Sequence, residues 1–374
     1  MKVSLISENI KKKILFVNHA ISTRSQLTTL LNFLIEAKNG KLTISATDLE
    51  IGIIVDIPAK IIEEGTVSVS AKTFVEIIGT ILSDKIVLED KSEGLVLTGE
   101  REETFFQTSP VEDFPKLYED RGKKFLILKR EKVGGDFSKV VFAASPDSER
   151  PALSGILIRE EKDGFLLVAT DGYRLSLKRH ALQNTKKEQP EEISILVPSR
   201  VIREMIQMEK EEDAGDITVY TSKEKNQIIF SQNDTTLVGR LIEAEFPNYE
   251  KIIPTDFATK TVFEKDSLQK AVKASYVFAR QTAGIVKMSI QKNKILISAN
   301  APSVGKNQIE VEAKTTGEEN EIAFNARYLL DFLSNSASEM VSFEMNGPLN
   351  PGVFREVGDP SFMHLIMPIR VQQE

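Results

Sequence analysis

The sequence of 374 residues contains no cysteine, and this absence excludes several kinds of chemistry at once. Disulfide bonds, thiolate nucleophiles and cysteine-ligated zinc or iron–sulfur sites all require that residue. Histidine is scarce as well: the three histidines are His19, His180 and His364, and none stands in a spacing typical of metal ligands. The sequence therefore predicts no metal site and no cofactor.

Catalytic motifs and long hydrophobic runs are also missing. The chain has no GxxxxGK[ST] phosphate loop, no GxGxxG fingerprint and no GxSxG nucleophile elbow. No acid, base and nucleophile can be grouped from the sequence, so we expect a protein that is not an enzyme. No stretch reaches the roughly 18 apolar residues of a membrane span, and the basic N-terminal segment is not a signal peptide. We expect a cytoplasmic protein.

The overall charge is acidic, with 48 Lys and Arg against 55 Asp and Glu, a formal net charge of −7. Taken alone, this balance argues against a nucleic-acid partner, because such proteins usually carry a basic surface. The hydrophobic fraction of 41% is sufficient for packed cores. The length indicates two or three domains at about 150 residues each.

Three related segments show that the chain repeats itself. Ala-Thr-Asp follows a predicted strand at 46–48 and again at 169–171, and Ala299-Asn300 follows a similar strand in the third segment. Downstream of each, a β-rich run breaks into an amphipathic helix at Ser70, Pro198 and Asn325, residue types that suit a helix start. Landmarks in the same order at similar separations indicate three copies of one unit.

Phe114-Pro115 and Phe246-Pro247 form a further pair of landmarks, near the ends of the first two copies. We therefore predict three α+β domains, at 1–126, 127–254 and 255–374. Each should contain a strand, a helix, two or three strands, then a strand, a helix and further strands. The sheets should be antiparallel, with two helices packed on each.

Basic residues recur on equivalent helices of the three copies, although an isolated basic helix face is usually only a solvated surface. They include Lys12, Arg24 and Lys72 in the first copy and Lys139, Arg150, Arg200 and Arg203 in the second. Lys270 and Lys273 stand on the first helix of the third.

Several motifs then match one family. The segments are ATDGYRL (169–175), LIEAEFPNYEKIIP (241–254), FNARYLLDFL (324–333) and HLIMPIRV (364–371), together with TDLEIG (47–52) and RPALSG (150–155). In this order and at these separations, they resemble the bacterial β sliding clamp family, the processivity subunit of DNA polymerase III, over the whole chain.

The resemblance implies a head-to-tail homodimer whose six domains form a ring, with the sheets outside and the helices lining a hole for duplex DNA. The basic residues above would then face the DNA backbone and bind it without sequence specificity. Phe105, Val277 and Phe278 match dimer-interface positions. The partners implied are DNA, the polymerase III alpha subunit, a clamp loader, and other polymerases and repair proteins, in association with the bacterial nucleoid.

The resemblance also implies a hydrophobic cleft between the second and third domains that binds a short peptide of each partner, with Arg174 and Arg370 as its polar rim. The matching positions in the second copy are Leu153, Thr170, Gly172, Tyr173, Arg174, Leu175, Pro247, Lys251 and Ile252. Those in the third copy are Asn325, Tyr328, Leu349, Pro351, Leu365, Met367, Pro368, Ile369, Arg370 and Val371.

Two alternatives stay open. A scaffold built from repeats, with no role on DNA, would share the fold but would not need the basic helix faces. An enzyme is the weakest alternative, because no catalytic constellation is recognisable.

Overall fold

The computed structural model describes residues 1–22, 25–118, 120–147, 149–181, 193–208, 215–222 and 226–370. Arg24 and Val371, two of the predicted site residues, lie outside these ranges. No helix of the described residues is long and apolar enough to cross a membrane.

The described residues form seven α-helices and 26 strands. The helices are α1 (Ser7–Val17), α2 (Ala71–Thr80), α3 (Arg130–Val141), α4 (Pro151–Ser154), α5 (Ser199–Met208), α6 (Lys265–Ala279) and α7 (Ala326–Asn335). The first strands are β1 (Lys2–Ile6), β2 (Asn32–Lys38), β3 (Lys41–Thr47), β4 (Ile51–Pro58), β5 (Lys60–Glu63), β6 (Gly65–Ser70), β7 (Lys85–Lys91), β8 (Gly94–Thr98), β9 (Glu103–Phe106) and β10 (Thr108–Ser109). The middle strands are β11 (Lys123–Leu128), β12 (Gly155–Glu161), β13 (Gly164–Thr170), β14 (Arg174–Ala181), β15 (Ser194–Pro198), β16 (Ile217–Ser222), β17 (Gln227–Gln232) and β18 (Thr235–Arg240). The last are β19 (Thr259–Glu264), β20 (Ile285–Ile290), β21 (Lys294–Ala301), β22 (Gly305–Gly317), β23 (Asn320–Asn325), β24 (Met340–Met345), β25 (Gly352–Glu356) and β26 (Asp359–Ile366).

The predicted order of elements occurs three times. A strand and a helix open each copy with β1–α1, β11–α3 and β19–α6, and the second strand–helix step is β6–α2, β15–α5 and β23–α7. The antiparallel pairing of β3 with β4, β13 with β14 and β21 with β22 places the same hairpin in each copy. The predicted α+β class with antiparallel sheets is confirmed.

Local sequence explains how the second helix of each copy begins. Asn325 caps α7, because its side-chain oxygen accepts a hydrogen bond from the backbone N–H of Arg327 at 2.9 Å. Ser70 precedes α2 but its side chain makes no such bond, so the predicted cap type is realised only at Asn325. In α5 the apolar stripe of Val201, Ile202, Met205 and Ile206 is buried, as its spacing predicts.

The contacts divide the chain into two units. Unit 1 comprises Met1–Val133 and Arg200–Leu241, and unit 2 comprises Gly134–Ser199 and Ile242–Glu374. Unit 1 contains a five-stranded sheet, β5-β1-β7-β8-β9, and a nine-stranded sheet, β10-β6-β2-β3-β4-β18-β17-β16-β11. Unit 2 contains a twelve-stranded sheet, β15-β12-β13-β14-β26-β25-β24-β19-β22-β21-β20-β23.

The middle copy is therefore shared between the units. Its strand β18 pairs with β4 of the first copy, and its strand β14 pairs with β26 of the third. Continuous hydrogen-bond ladders thus run across both predicted domain junctions. The predicted boundaries follow the sequence repeat, whereas these ladders join neighbouring copies.

One core of unit 2 lies beneath the segment that follows β18. Buried residues from the strands of the second and third copies form it: Leu157, Leu166, Val168, Leu175, Leu177, Leu196, Val353, Met363 and Leu365. Tyr249 joins this core, and Ile242, Phe246, Ile253 and Phe257 pack against it. The segment 242–257 is therefore held on the sheet by apolar contacts.

Candidate functional site

The turn after β13 presents an exposed aromatic side chain. The Asp171 carboxylate accepts hydrogen bonds from the backbone N–H groups of Tyr173 (2.9 Å) and Arg174 (3.0 Å). The Thr170 hydroxyl donates to the carbonyl of Arg174 at 2.6 Å. Gly172 has a φ of +92°, a left-handed conformation that favours glycine. The turn is thus locally determined, and it leaves the side chain of Tyr173 58% exposed.

The last described residues are anchored beside this turn. The N–H of Met367 donates to the carbonyl of Tyr173 at 2.8 Å, and the N–H of Ile369 donates to the carbonyl of Ala323 on β23 at the same distance. Met367 and Arg370 are exposed, whereas Pro368 and Ile369 are half-buried. The structure therefore brings together Tyr173 and the Met367–Arg370 segment, as the resemblance implies.

The other predicted cleft residues lie in the same unit. Leu153 approaches the turn, with its Cδ1 4.0 Å from an ideal Cβ position at Gly172, and the Asn325 cap begins the helix that carries Tyr328. Ile252 and Leu349 are 42% and 56% exposed. Pro247 and Lys251 are exposed and Pro351 is half-buried, and their participation in one cleft with the turn stays a prediction.

Arg174 is not a rim residue, in contrast to the sequence prediction. It is 8% exposed, and its guanidinium donates to Asp171 Oδ2 (3.0 Å), Asp331 Oδ2 (2.6 Å) and the carbonyl of Phe142 (2.9 Å). It also lies over the ring of Tyr328, with Cζ 4.5 Å from the centroid. Burial, then the nearby Asp171 carboxylate, raises the pKa of the Tyr328 phenol. Arg174, on β14, therefore joins the turn after β13, the residue after α3 and α7 beneath the surface.

Leu175 and Leu365, two of the predicted peptide-binding residues, are buried. They face each other as register partners in β14 and β26, and each is fully buried in the core under the 242–257 segment. Alternation along a strand turns their side chains away from solvent. These two residues therefore belong to the core beneath the site and do not form part of its surface.

His364 is a second buried group beneath the site that sequence reasoning passed over. It stacks on Phe332, with centroids 5.2 Å apart, and its Nδ1 lies 2.7 Å from the Ser176 hydroxyl, whereas Nε2 has no partner in the described structure. Burial and then the positive charge of Arg174 hold the pKa of His364 well below its ordinary value. A neutral histidine therefore belongs to this core.

Lys139 was predicted to face DNA, and the structure contradicts this. The residue is 9% exposed, and its ammonium donates to Glu356 Oε2 (2.7 Å) and Asp359 Oδ2 (3.0 Å). Burial opposes its charge, but the hydrogen bonds to Glu356 and Asp359 and the charges of these carboxylates together raise the pKa of Lys139. Lys178 also donates to Asp359 at 2.7 Å. Lys139 belongs to a buried ion cluster that joins α3 to β25 and the start of β26.

The remaining basic candidates are on the surface of their units. Lys12 on α1 and Lys72 on α2 are exposed in unit 1, and Lys270 and Lys273 are exposed on α6 of unit 2. Arg150 is exposed with its Nε 3.7 Å from Asp147, a weak surface pair.

The two basic residues of α5, Arg200 and Arg203, are exposed as well. Arg200 is held by the Asp48 carboxylate and donates to the carbonyl of His19 at 2.9 Å. Part of its charge is therefore already compensated within unit 1.

The predicted dimer residues lie on an edge strand and on a helix. Phe105 is 50% exposed on β9, which pairs only with β8 among the described residues. Val277 is 49% exposed near the end of α6, and Phe278 is half-buried beside it. In unit 2, β22 pairs with β19 only from Ala313 onward, so the other side of its first half carries no described strand.

Family models match nearly the whole chain in three consecutive parts. They describe the N-terminal domain of the DNA polymerase III beta subunit at residues 1–118, its central domain at 128–248 and its C-terminal domain at 250–370. The chain belongs to the DNA polymerase III beta subunit family. Three matches in this order also confirm the threefold repeat.

Individual relatives agree with the family models over full length. The beta sliding clamp of Synechococcus elongatus is 26% identical over 380 residues, covering 100% of both chains. That of Caulobacter vibrioides is 27% identical over 380 residues, covering 99% of this chain and 100% of the relative. The structure of the DNA polymerase beta subunit from Streptococcus pyogenes superimposes with a TM-score of 0.92 at 28% identity, over 99% and 100% of the two chains. The DNA polymerase III beta subunit from Thermotoga maritima gives 0.91 at 27%, with the same coverage.

Asp331 and Phe142 are site residues that the sequence did not point out. Asp331 lies three residues after Tyr328 on α7, a spacing that places two side chains on one helix face. This spacing indicates from the sequence that Asp331 lies beside the predicted site residue Tyr328. Phe142 contributes a main-chain carbonyl, which sequence does not reveal. Among the described residues, no group of acidic or histidine side chains is arranged to hold a metal ion.

Proposed function

We propose that the chain is a DNA polymerase processivity factor that acts without catalysis. Two copies close a ring around duplex DNA, and the ring tethers the polymerase while sliding with it. The observation that carries the proposal is the anchoring of the Met367–Arg370 segment beside the exposed Tyr173 turn, in a chain of this family. It supports a binding surface made from two copies of the repeat.

The tethering step rests on apolar side chains at this surface. Tyr173 and Met367 are exposed close to each other, and Ile252 and Leu349 are exposed in the same unit. Apolar groups of this kind accept hydrophobic anchors of a short peptide, and methionine adapts to anchors of different shape. Arg174 acts from below by holding the turn and α7 in one arrangement. We propose the polymerase III alpha subunit, a clamp loader and other polymerases or repair proteins as the sources of such peptides.

The sliding step needs attraction to DNA that carries no sequence information. Four exposed lysines can supply this attraction by contacting phosphates at any position along the duplex: Lys12, Lys72, Lys270 and Lys273. Phosphate contacts are independent of sequence and weaken as salt is raised. The acidic total charge of −7 limits the strength of the attraction, which allows movement along the duplex.

Ring closure would use the two open strand edges. An edge strand presents unpaired N–H and C=O groups that a strand of another chain can bind. β9 carries exposed Phe105, and the open half of β22 lies next to exposed Val304 in sequence. An antiparallel contact between β9 of one copy and β22 of the next would use both edges in a head-to-tail dimer.

Retention on DNA of different topology tests the function. After loading, we expect the protein to stay on nicked circular DNA and to be lost when that DNA is linearised. Equal retention on both forms would contradict a topological link. Charge reversal at Lys12, Lys72, Lys270 and Lys273 should reduce processive synthesis; unchanged synthesis would instead favour a repeat-built scaffold.

A further inference from the structure

A pocket of about 480 Å³ lies in unit 1, and none of the residues that line it is used in the proposed function. The nine-stranded sheet forms its floor, and residues 114–118 and 121 form a wall. This volume lies within the range of roughly 300–1,000 Å³ that is usual for ligand sites. Strand pairing arranges the floor in two rows across β2, β3, β4 and the start of β18. The first row is Leu34, Ser45, Ile54 and Thr236, and the second is Glu36, Thr43, Asp56 and Asp234.

The corresponding place in the second copy is filled. The hairpin registers are equivalent, since Leu34 pairs with Ser45 as Leu157 pairs with Val168. Ile54 pairs with Thr236 in unit 1, and the corresponding residues Leu177 and Met363 pair with each other in unit 2. In unit 2 this row is wholly apolar and lies under the 242–257 segment. Serine and threonine in place of valine and methionine therefore leave unit 1 with an open pocket where unit 2 has a core.

Two hydroxyl groups in the floor lack partners. Ser45 and Thr236 are each 8% exposed and line the pocket, and within the described ranges neither side chain has a hydrogen-bond partner. Neither hydroxyl oxygen is fully buried, so each can bond to solvent or to a molecule in the pocket. These two groups are therefore available to a bound molecule.

One carboxylate in the second row is also available. Asp56 is paired with Lys41, and Asp234 is paired with Lys13 at 3.0 Å, whereas Glu36 has no ion pair among the described residues. Its register counterpart in the second copy is Arg159, which bonds to Glu250 of the overlying segment at 3.3 Å. Aligning Phe114-Pro115 with Phe246-Pro247 places Tyr118 where that segment has Glu250. The Arg159–Glu250 ion pair, which joins the sheet to the overlying segment in the second copy, thus has no equivalent at Glu36.

We propose that this pocket binds a basic side chain, arginine or lysine, of an extended peptide segment in a partner protein. The cation pairs with Glu36, its aliphatic stem packs along Leu34 and Ile54, and the hydroxyls of Ser45 and Thr236 bond to peptide groups. Four strands at about 4.8 Å spacing give a floor about 14 Å long, the length of about four extended residues. Three cations of the chain also line the pocket: Lys41, which is paired with Asp56, and the exposed Lys116 and Arg121. We expect Lys116 to compete with a bound cation for Glu36.

Binding of a charged and a neutral peptide to the wild-type protein tests the proposal. The probes are acetyl-Gly-Ser-Arg-Ser-Gly-amide and the same peptide with citrulline, which keeps the shape of arginine and lacks its charge. We expect amide NMR shifts in β3 and β18 around Ser45 and Thr236, and about tenfold weaker binding of the citrulline peptide. Equal affinity of the two peptides, or shifts confined to other surfaces, would overturn the proposal. Agmatine, which keeps the guanidinium of arginine and lacks its peptide groups, should bind more weakly; binding as tight as that of the arginine peptide would assign the site to a small cation and would overturn a peptide partner.

Variants then identify the groups that bind. Glu36→Gln should weaken the arginine peptide about tenfold, whereas Glu76→Gln, at an exposed position on α2, should leave affinity unchanged. Lys116→Gln should strengthen binding by removing the competing cation. Ser45→Val with Thr236→Met introduces the residues of the second copy and should abolish binding with the unfolding temperature retained. Wild-type affinity in Glu36→Gln would overturn the proposal, and the citrulline comparison decides the matter should the double variant fail to fold.

Discussion

The guanidinium of Arg174 and the carboxylate of Asp331 lie 2.6 Å apart, from Nη1 to Oδ2, and join β14 to α7. Arg174 is 8% exposed, and the same guanidinium also holds Asp171 in the Tyr173 turn. A single side chain thus connects two elements from which the proposed cleft is made. Its planar fork of donors suits several acceptors at once, which a lysine does not reproduce.

Arg174→Lys should weaken the binding of a partner's short hydrophobic peptide by about tenfold, because the turn and α7 would lose their common partner. Fluorescence anisotropy with a labelled peptide measures the affinity. Arg179→Lys, at an exposed position on β14 in the same unit, is the matched control and should bind as the wild type does. Unchanged affinity in Arg174→Lys would show that the network does not position the cleft.

Lys139→Ala should lower the free energy of unfolding by about 3 kcal/mol, because Glu356 would be left buried without its cation. Lys139→Met should cost less, since it restores the packing of the stem. Urea denaturation measures both. Lys273→Ala, on the exposed face of α6, should leave stability unchanged and weaken DNA association at low salt. A stable Lys139→Ala protein with weakened DNA binding would restore the interpretation made from the sequence.

His364 should make stability depend on pH. Its pKa in the folded protein is well below the value of about 6.5 expected in the unfolded chain, so the folded state binds fewer protons. Stability should therefore fall as the pH decreases below about 6.5, by up to about 1.4 kcal/mol per pH unit for this one group.

His364→Phe should reduce this dependence of stability on pH. Chemical denaturation between pH 5 and pH 7.5 measures it, because this range spans the pKa of histidine in the unfolded chain. Ser176→Ala removes the hydrogen bond to Nδ1 but keeps the buried histidine, so the dependence should persist. A slope in His364→Phe equal to that of the wild type would assign the protons to other groups.

Phe105→Arg should weaken the proposed dimer by at least about tenfold, since it places a charge on an apolar edge. Sedimentation equilibrium measures the dissociation constant. Ile62→Arg makes the same change at a side chain that is 52% exposed on β5, the opposite edge of the same sheet, and should leave the dimer intact. Equal effects of the two changes would exclude β9 as the contacting edge.

Much of the fold could be predicted because its signals are local. The alternation and turn residues that repeat at 46–48 and 169–171 predict the same hairpin twice. The Asn325 cap follows from side-chain chemistry only two residues from the N–H that it binds. The Tyr173 turn is similar, because Asp171 and Gly172 determine it within five residues.

Charges could not be assigned in the same way. Helical spacing predicts that Lys139 and Lys273 are both surface residues. Lys273 is exposed, whereas Lys139 is buried against Glu356, which is 217 residues away in sequence. Arg174 was predicted at a rim and is buried for the same reason, since its partner Asp331 is 157 residues distant. The cost of burying a charge depends on partners that only the folded chain supplies.

The amino-acid sequence by itself thus determined the threefold repeat, the class of fold and the turn that exposes Tyr173, because these depend on neighbouring residues. Only the tertiary structure decided which cations are surface groups and which are structural. It alone also showed that one repeat keeps a pocket where the next has a core. These features arise where strands of different copies pair, and their energetics depend on burial and long-range contacts that no short segment encodes.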